Sequence, residues 1–195
     1  MLKVGVTGTI GSGKTTVCHI FERLHIPVYY SDREAKKQYE YQDVKAKLSV
    51  VFGDRIFTEN NAVDTKKLAQ LVFNDVALLR QLNAIVHPLV EDDFEQWSKS
   101  YRNYSYVLFE SAVLYSCRLT HLFDKIIVVD APFELIIRRV MQRDAISAEA
   151  VCRRIKMQLP ENQENTHPDY IITNDGEHLL IPQIIDIHKD LDREK

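Results

Sequence analysis

The sequence predicts an α/β fold in which a parallel five-stranded sheet is interrupted by one long helical insert and one short basic helical segment. Within residues 2–30 the chain shows the pattern of an apolar strand, a glycine-rich loop, a helix and a second strand. A long helical stretch, residues 32–104, then precedes two further apolar strands. This order is typical of parallel sheets whose strands are joined by right-handed crossover connections.

The opening elements follow from the spacing of apolar residues. Residues 2–7 form a short apolar run, which indicates a buried strand that ends at the glycine-rich loop. Residues 28–30, which follow Pro27, predict the second strand. Residues 15–24 predict a helix between them, because four apolar side chains recur on one helical face: Val17, Ile20, Phe21 and Leu24.

Residues 32–104 predict an insert that is mainly helical. Asp64 is expected to cap a helix that runs to Phe73, since aspartate is a favoured residue at helix N-termini. Asp75 is expected to cap a second helix, which runs through Val86, in the same way. Pro88 suits the first turn of a third helix, because backbone N–H groups in a first turn form no hydrogen bond within the helix and proline lacks this group.

The second half of the chain returns to alternating strands and helices. Predicted strands cover residues 106–109, 126–129 and 170–172, and predicted helices cover residues 132–143, 147–159 and 179–191. With the two opening strands these make five, which we expect to lie parallel in one sheet.

The glycine-rich stretch after the first strand, residues 8–15, fits the motif G-x-x-x-x-G-K-[ST] at every defined position. In such a P-loop the backbone N–H groups turn inward and cradle phosphate oxygens at the N-terminus of the following helix. Lys14 is expected to reach the β- and γ-phosphates, and the Thr15 hydroxyl to ligate Mg²⁺. A simple glycine-rich turn is the weaker interpretation, because the motif lies between a predicted strand and a predicted helix. The predicted nucleotide-binding residues here are Gly8, Thr9, Ile10, Gly11, Ser12, Gly13, Lys14, Thr15 and Thr16.

A P-loop alone does not distinguish a kinase from a GTPase or a motor ATPase. The guanine-reading motif N-K-x-D is absent, and 195 residues are few for a large ATPase machine. A short P-loop chain with a helical insert after its second strand has the form of a small-molecule kinase whose insert holds the acceptor. Two alternatives stay open: a kinase for another small molecule or nucleoside, and a nucleotide-binding switch without an acceptor.

Composition limits the partners and the compartment. The formal net charge is −3, so no global charge favours nucleic acid or an anionic membrane, and neither is expected as a partner. The cysteines are three and far apart, at Cys18, Cys117 and Cys152, which favours a reduced cytoplasmic chain over a disulfide scaffold. The sequence leaves the oligomeric state open.

Asp32 and His87 are candidate contacts to an acceptor. Asp32 follows the second strand directly, near the edge of the sheet where α/β proteins bind ligands. There it could orient an acceptor hydroxyl and accept its proton, or it could cap a helix over residues 32–41. His87 precedes Pro88 at a predicted helix junction, where it could contact substrate or be a buried structural histidine.

Two further carboxylates end predicted strands. Glu110 ends the third strand in a Walker-B-like position, where it could hold a metal ion or a water molecule. Asp130 ends the fourth strand, and either carboxylate could instead cap the next helix. Glu110 is the preferred metal candidate beside Thr15, because Pro132 makes a helix start near Asp130 plausible.

A cluster of basic residues marks the short helical segment near residues 138–156. Arg139 and Arg143 are four apart and share a helical face. Arginine suits bidentate binding of phosphate, whereas a solvated basic face is the alternative. The members are Arg138, Arg139, Arg143, Arg153, Arg154 and Lys156.

Beyond these single residues, several segments in order resemble the dephospho-CoA kinase family. The P-loop indicates only the class, but Tyr30-Ser31-Asp32 stands at the family's D-A-D segment and residues 169–176 are similar to its D-Y-[VI]-I-x-N-x-G. The segments cover nearly the whole chain, at residues 5–15, 30–32, 63–64, 85–88, 141–144, 154–158 and 169–176. Their order makes the match specific.

The resemblance implies a kinase that transfers the γ-phosphate of ATP, with Mg²⁺, to the ribose 3′-hydroxyl of dephospho-CoA. It implies that Asp32 is the catalytic base, that Arg143 acts from a lid together with Lys14 in catalysis, and that Asn174 lies near the adenine. His87, in the family's His–Pro pair, joins Asp32 as a substrate contact.

The resemblance also implies a division of the chain on a P-loop kinase core. The nucleotide-binding core comprises residues 1–31, 105–137 and 168–195. Residues 32–104 form the helical acceptor-binding insert, and residues 138–167 form the lid.

Three positions depart from the family pattern. Thr9 replaces its usual second glycine, and Thr65 stands where an arginine is usual. Ser116 replaces a glutamate that normally follows the third strand, so Glu110 is the candidate to serve nearby.

Overall fold

The computed structural model describes residues 1–72, 75–158 and 167–194. Contacts divide the chain into two compact units. The first comprises Met1–Tyr30 with Ser100–Lys195, and the second comprises Ser31–Lys99.

The first unit contains a five-stranded sheet in the order β2-β3-β1-β4-β5, in which all paired strands are parallel. The predicted α/β fold with a parallel five-stranded sheet is therefore confirmed. The strands are β1 Leu2–Thr7, β2 Val28–Tyr30, β3 Tyr106–Glu110, β4 Lys125–Asp130 and β5 Tyr170–Thr173.

The helices are α1 Lys14–Arg23, α2 Ser31–Gln38, α3 Gln42–Phe52, α4 Thr65–Val72, α5 Val76–Lys99, α6 Phe133–Asp144, α7 Ala148–Gln158 and α8 Leu180–Arg193. Most predicted helix ends lie within one or two residues of the observed ends, but α3 was not predicted and the helix after Asp75 continues beyond its predicted end at Val86. Phe73 and Leu159, the predicted ends of two helices, lie outside the described residues. None of the helices in the described ranges has the length and apolar character that a membrane span requires.

The core of the first unit lies where α1 and α8 pack with the sheet. Strand side chains on this side are fully or almost fully buried, as expected for a parallel sheet covered by helices. Each large apolar side chain buried in this way contributes about 1.5–3 kcal/mol to folding. The cluster includes Val4, Val6, Val17, Phe21, Leu108, Ile127, Ile172, Ile184 and Leu191.

Two predicted helix caps in the second unit are confirmed. Asp64 Oδ1 accepts the backbone N–H groups of Lys66 and Lys67 at 3.0 and 3.1 Å, at the start of α4. Asp75 Oδ1 likewise accepts N–H groups at the start of α5. These bonds satisfy amides that have no partner inside the helix, which is worth about 1 kcal/mol for each cap.

The predicted helix start at Pro88 is wrong, because Pro88 lies inside α5, which continues from Val76 to Lys99. Proline in a helix interior removes one backbone hydrogen bond and costs about 3 kcal/mol or more. The side chains of one face nevertheless recur every fourth residue across the proline and are buried: Leu82, Val86, Val90 and Phe94. Burial of this continuous stripe outweighs the local preference of proline, and His87 consequently lies in mid-helix rather than at a junction.

Candidate active site

The phosphate loop, residues 8–15, joins β1 to α1. Gly13 directly precedes α1 with φ 101°, a left-handed conformation that favours glycine. A Cβ at this position would overlap the side-chain amide of Asn174. Gly13 therefore permits both the turn into the helix and the close approach of Asn174.

Lys14 is the first residue of α1 and is only 7% exposed. Its Nζ donates to the carbonyl oxygen of Gly8 at 2.9 Å and to that of Thr9 at 3.3 Å. A buried ammonium group requires partners of this kind, because desolvation of a charge is costly. The bonds hold the positive charge against the loop whose backbone amides are suited to receive phosphate.

Ser12 contributes a buried polar atom to the same loop. The residue is fully buried, and its Oγ has no hydrogen-bond partner among the described residues. An unsatisfied buried hydroxyl costs about 1–3 kcal/mol, and most buried polar groups in proteins are paired. An orphaned atom inside a phosphate loop is a feature that a bound ligand can satisfy.

Asn174 is tied to the phosphate loop across 162 positions of sequence. Its Nδ2 donates to the carbonyl of Ser12 at 2.7 Å, and its backbone N–H donates to the carbonyl of Asp130 at 2.8 Å. Asn174 follows β5, and β5 pairs with β4, so the sheet register places it at the same edge as the loop. The structure thus brings Asn174 together with the loop residues that the sequence indicated.

Arg139, which the sequence indicated only as one member of a basic cluster, belongs to this network. Its Nη1 donates to the backbone carbonyl of Asn174 at 3.1 Å, and its Nη2 lies 3.4 Å from the Asn174 Oδ1. The one available signal was its spacing, because Arg139 shares a helical face with Arg143. Arg139 links α6 through Asn174 to the phosphate loop.

Arg143, the arginine that the sequence indicated, pairs with its neighbour Asp144. Its Nε and Nη2 donate to the Asp144 carboxylate at 2.7 and 3.1 Å, and its side chain is 60% exposed. Arg154, from α7, donates to the same carboxylate at 2.6 Å. Hydrogen bonds from Arg143 and then Arg154 hold the pKa of Asp144 below its ordinary value. One carboxylate therefore gathers two guanidinium groups at the end of the α6–α7 hairpin.

Glu110 lies buried at the end of β3, beside both neighbouring strands. It pairs in register with Val6 of β1 and Tyr30 of β2. Burial raises the pKa of the Cys18 thiol well above its ordinary value, the Glu110 carboxylate raises it further, and the Lys14 ammonium lowers it. Val6 lies two residues before the phosphate loop begins at Gly8, so the strand register places Glu110 near the start of that loop.

Asp32 lies in the second compact unit, as the second residue of α2. The helix begins at Ser31 and ends at Gln38, three residues before the predicted end at Tyr41. Asp32 is exposed in the first turn of α2. An N-cap residue stands before the first residue of its helix, so Asp32 is not the N-cap of α2. Burial raises the pKa of Tyr39 to about 12, and the charge of Asp32 raises it too.

His87 is half-buried in the interior of α5. Burial lowers the pKa of its imidazole below the ordinary value, which favours the neutral form at neutral pH. A neutral imidazole has one donor and one acceptor nitrogen for a substrate or for the protein.

The oxygen donors of this chain fit a magnesium ion that arrives with a nucleotide. Within the described residues, no group of three or more histidine, cysteine, aspartate or glutamate side chains could hold a metal. The donors that the sequence indicated are the hydroxyl of Thr15 in α1 and the carboxylate of Glu110 in β3. Mg²⁺ usually keeps several waters and binds one or two protein groups together with substrate phosphates.

The fold and the loop define the class of the protein. A parallel sheet carries a glycine-rich loop between its first strand and first helix, and a buried lysine is held against that loop. These features define a P-loop nucleotide-binding protein, and the helical unit after β2 gives it the form of a small-molecule kinase.

Comparison with known proteins gives the family. The family model for dephospho-CoA kinase matches residues 2–179. A dephospho-CoA kinase of Porphyromonas gingivalis is 38% identical over 96% of this chain and 93% of its own length, and one of Bacteroides fragilis is 35% identical over 95% and 91%. A crystal structure of a Thermus thermophilus protein superposes with a TM-score of 0.79 at 28% identity, covering 99% of this chain and 97% of that one. The chain belongs to the dephospho-CoA kinase family, as its ordered motifs indicated.

Proposed function

We propose that this chain transfers the γ-phosphoryl group of ATP to the ribose 3′-hydroxyl of dephospho-CoA, giving CoA and ADP. The observation that carries this proposal is the family match over residues 2–179, which includes an intact phosphate loop with Lys14 held against it. In such a transfer the protein mainly positions the reactants and stabilises charge on the phosphoryl oxygens.

On the donor side, the loop from Gly8 to Thr16 holds the ATP phosphates through the dipole of α1 and through backbone N–H groups other than those of Ile10 and Ser12, which bond within the protein. Lys14 supplies the positive charge, and its bonds to Gly8 and Thr9 support the role because they pre-position the ammonium. The side chain of Asn174 donates to the carbonyl of Ser12 and therefore lies beside the loop. This position supports the assignment of Asn174 to the nucleotide site near the adenine.

Thr15 and Glu110 would hold Mg²⁺ together with the phosphates of ATP. Thr15 is the residue after Lys14 in α1, and Glu110 is a buried carboxylate at the end of β3. When bound, the ion neutralises negative charge on the phosphates. Glu110 would take the place of the family glutamate that Ser116 replaces.

On the acceptor side, the helical insert of residues 32–104 binds dephospho-CoA. Asp32 accepts the proton of the ribose hydroxyl or orients it, and its exposure in the first turn of α2 supports access to a substrate. His87 contacts the acceptor from α5, and its lowered pKa supports a neutral hydrogen-bonding role.

The lid comprises residues 138–167, of which 159–166 lie outside the described residues, and from it Arg143 neutralises charge on the transferred phosphoryl group. The side chain of Arg143 is exposed while Asp144 holds it at the end of the hairpin, so a ligand can reach the guanidinium group, which supports this role. The reaction takes place in the cytoplasm, a location that the three free thiols of Cys18, Cys117 and Cys152 support.

A coupled assay of ADP release across a panel of acceptors tests the proposal. We expect release that depends on ATP, Mg²⁺ and dephospho-CoA, and no comparable release with nucleosides or other small alcohols. Faster turnover with another acceptor would overturn the substrate assignment. Slow hydrolysis that is the same with and without every acceptor would instead indicate a nucleotide switch.

A further inference from the structure

Gln158, the last residue of α7, forms a hydrogen bond with the tip of the phosphate loop. Its Oε1 accepts the backbone N–H of Ile10 at 2.9 Å in a partly buried setting. The two residues are 148 positions apart, so tertiary structure alone makes this contact. The bond joins the helical hairpin of α6 and α7 directly to the backbone that is suited to hold phosphate.

The hairpin also packs closely on the loop tip. Gly11 has φ 82°, and a Cβ there would overlap a methyl group of Val140 on α6. Ile10 packs against the apolar cluster of α6, α7 and the end of β4, which consists of Ala131, Ile136, Val140, Val151 and Ile155. The side chain and the backbone of Ile10 are therefore both held by the hairpin.

The peptide bond between Thr9 and Ile10 is fixed at both of its polar atoms. Its N–H donates to Gln158, while its carbonyl oxygen accepts the Lys14 Nζ at 3.3 Å and the Ser12 N–H at 3.0 Å. A peptide unit is planar, so rotation that moves the N–H also moves the carbonyl. The carboxamide of Gln158 thereby sets the direction of a carbonyl that holds the Lys14 ammonium.

We propose that Gln158 is a positioning residue for ATP binding: by accepting the Ile10 N–H, it fixes the Thr9–Ile10 peptide, whose carbonyl holds the Lys14 ammonium. The kinetic part of this proposal rests on the proposed function. The hydrogen bond itself is measurable without any turnover. Loss of one net hydrogen bond corresponds to about a 2- to 10-fold change in an equilibrium constant.

Two variants separate the acceptor atom from the shape of the side chain. Gln158→Leu removes the acceptor, and we expect the Ile10 amide to exchange its hydrogen faster, as followed by NMR of the nucleotide-free protein. We expect its KM for ATP to rise about 2- to 10-fold. Its KM for dephospho-CoA should stay unchanged, because Gln158 acts on the phosphate loop. Gln158→Glu keeps an acceptor oxygen in place and should retain the protection of the Ile10 amide.

Gln183→Leu is the matched control. Gln183 on α8 accepts the backbone N–H of Thr173 at 2.8 Å, so its replacement also removes a glutamine–backbone bond. We expect this control to leave the exchange of the Ile10 amide unchanged, even if it lowers the melting temperature.

Unchanged Ile10 exchange and unchanged KM for ATP in Gln158→Leu would overturn the proposal, whatever the melting temperature. Loss of Ile10 protection in Gln158→Glu equal to that in Gln158→Leu would also overturn it. If the wild-type protein fails to phosphorylate dephospho-CoA, the proposed function fails. Ile10 exchange and direct titration with ATP would still decide the role of Gln158.

Discussion

At the scale of single residues, the ammonium group of Lys14 is the main positive charge that the structure places at the phosphate loop. Lys14 is almost fully buried, and its ammonium contacts two carbonyl groups of the loop that precedes it. The positive charge is therefore placed before the nucleotide arrives, which is what preorganised stabilisation of a transferring phosphoryl group requires.

We expect Lys14→Ala to lower kcat by about 10²–10³-fold or more, the loss usual when one such stabilising donor is removed. The fold should remain intact, because the ammonium makes loop contacts rather than apolar core packing. Turnover, ATP titration and a thermal melt measure these effects. Lys189→Ala, on exposed α8 surface, should retain full activity. Near-normal activity of Lys14→Ala would remove the phosphate-loop assignment.

Asp32→Asn tests the proposed base. Asparagine cannot accept a proton from a ribose hydroxyl at neutral pH, so kcat should fall by about 10²–10⁴-fold. Because phosphoryl transfer is largely dissociative, a loss near the lower end would indicate that Asp32 chiefly orients the hydroxyl. The free energy of unfolding should change by less than about 1 kcal/mol, since only a first-turn charge at a helix N-terminus is removed.

Glu134→Gln provides the control for Asp32→Asn. Glu134 is an exposed acid in the first turn of α6, so its replacement removes a comparable interaction with a helix dipole. This control should keep kcat unchanged. A kcat of Asp32→Asn equal to that of Glu134→Gln would show that Asp32 has no role beyond its helix.

Single residues were predictable from the sequence where a motif fixes them within a short segment. The phosphate loop from Gly8 to Thr15 is such a motif, because the strand and helix beside it are also local. Arg139 and Gln158 were not predictable as partners of the loop. Arg139 forms a hydrogen bond with Asn174, which is 35 positions away in sequence, and Gln158 forms one with Ile10, which is 148 positions away. No local sequence pattern encodes contacts between residues so far apart.

At the scale of elements, the α6–α7 hairpin combines an apolar interior with a charged end. Val140 and Val151 are fully buried within it, whereas Arg143 and Arg154 converge on Asp144 at its end. The apolar cluster holds the two helices together, so the guanidinium groups are presented from a packed element rather than from a free loop.

We expect Arg143→Ala to lower kcat by about 10²-fold while changing the Kd of dephospho-CoA much less, if the hairpin acts on ATP phosphates. Asp144 would keep its bond to Arg154, which limits the structural effect. Steady-state kinetics and equilibrium binding measure the two quantities. Arg193→Ala removes another exposed, ion-paired arginine, from the end of α8, and should leave kcat unchanged. Equal activity of Arg143→Ala and wild type would assign Arg143 to a solvated basic face.

Helix boundaries were predictable where a capping side chain specifies them. Asp64 and Asp75 accept N–H groups at the starts of α4 and α5, as their positions before apolar periodic segments indicated. The continuation of α5 through Pro88 was not predictable, because it depends on burial of a stripe that extends on both sides of the proline. Tertiary burial thus overrode a strong local preference.

At the scale of the whole molecule, local placement rather than net charge accounts for phosphate binding. The chain carries a net charge of −3, yet Lys14, Arg139, Arg143 and Arg154 all belong to the first compact unit. That unit carries the sheet and the phosphate loop, and the second carries Asp32 and His87. The proposed donor and acceptor contacts are therefore assigned to different compact units of one chain.

The most direct test of the central claim is the mass and structure of the product formed from dephospho-CoA, ATP and Mg²⁺. We predict that mass spectrometry shows the gain of one phosphoryl group, that ³¹P NMR places it on the ribose 3′-hydroxyl, and that Lys14→Ala forms no such product at the same protein concentration. A mass that stays unchanged while another acceptor is phosphorylated would contradict the substrate assignment and leave a P-loop kinase of different specificity.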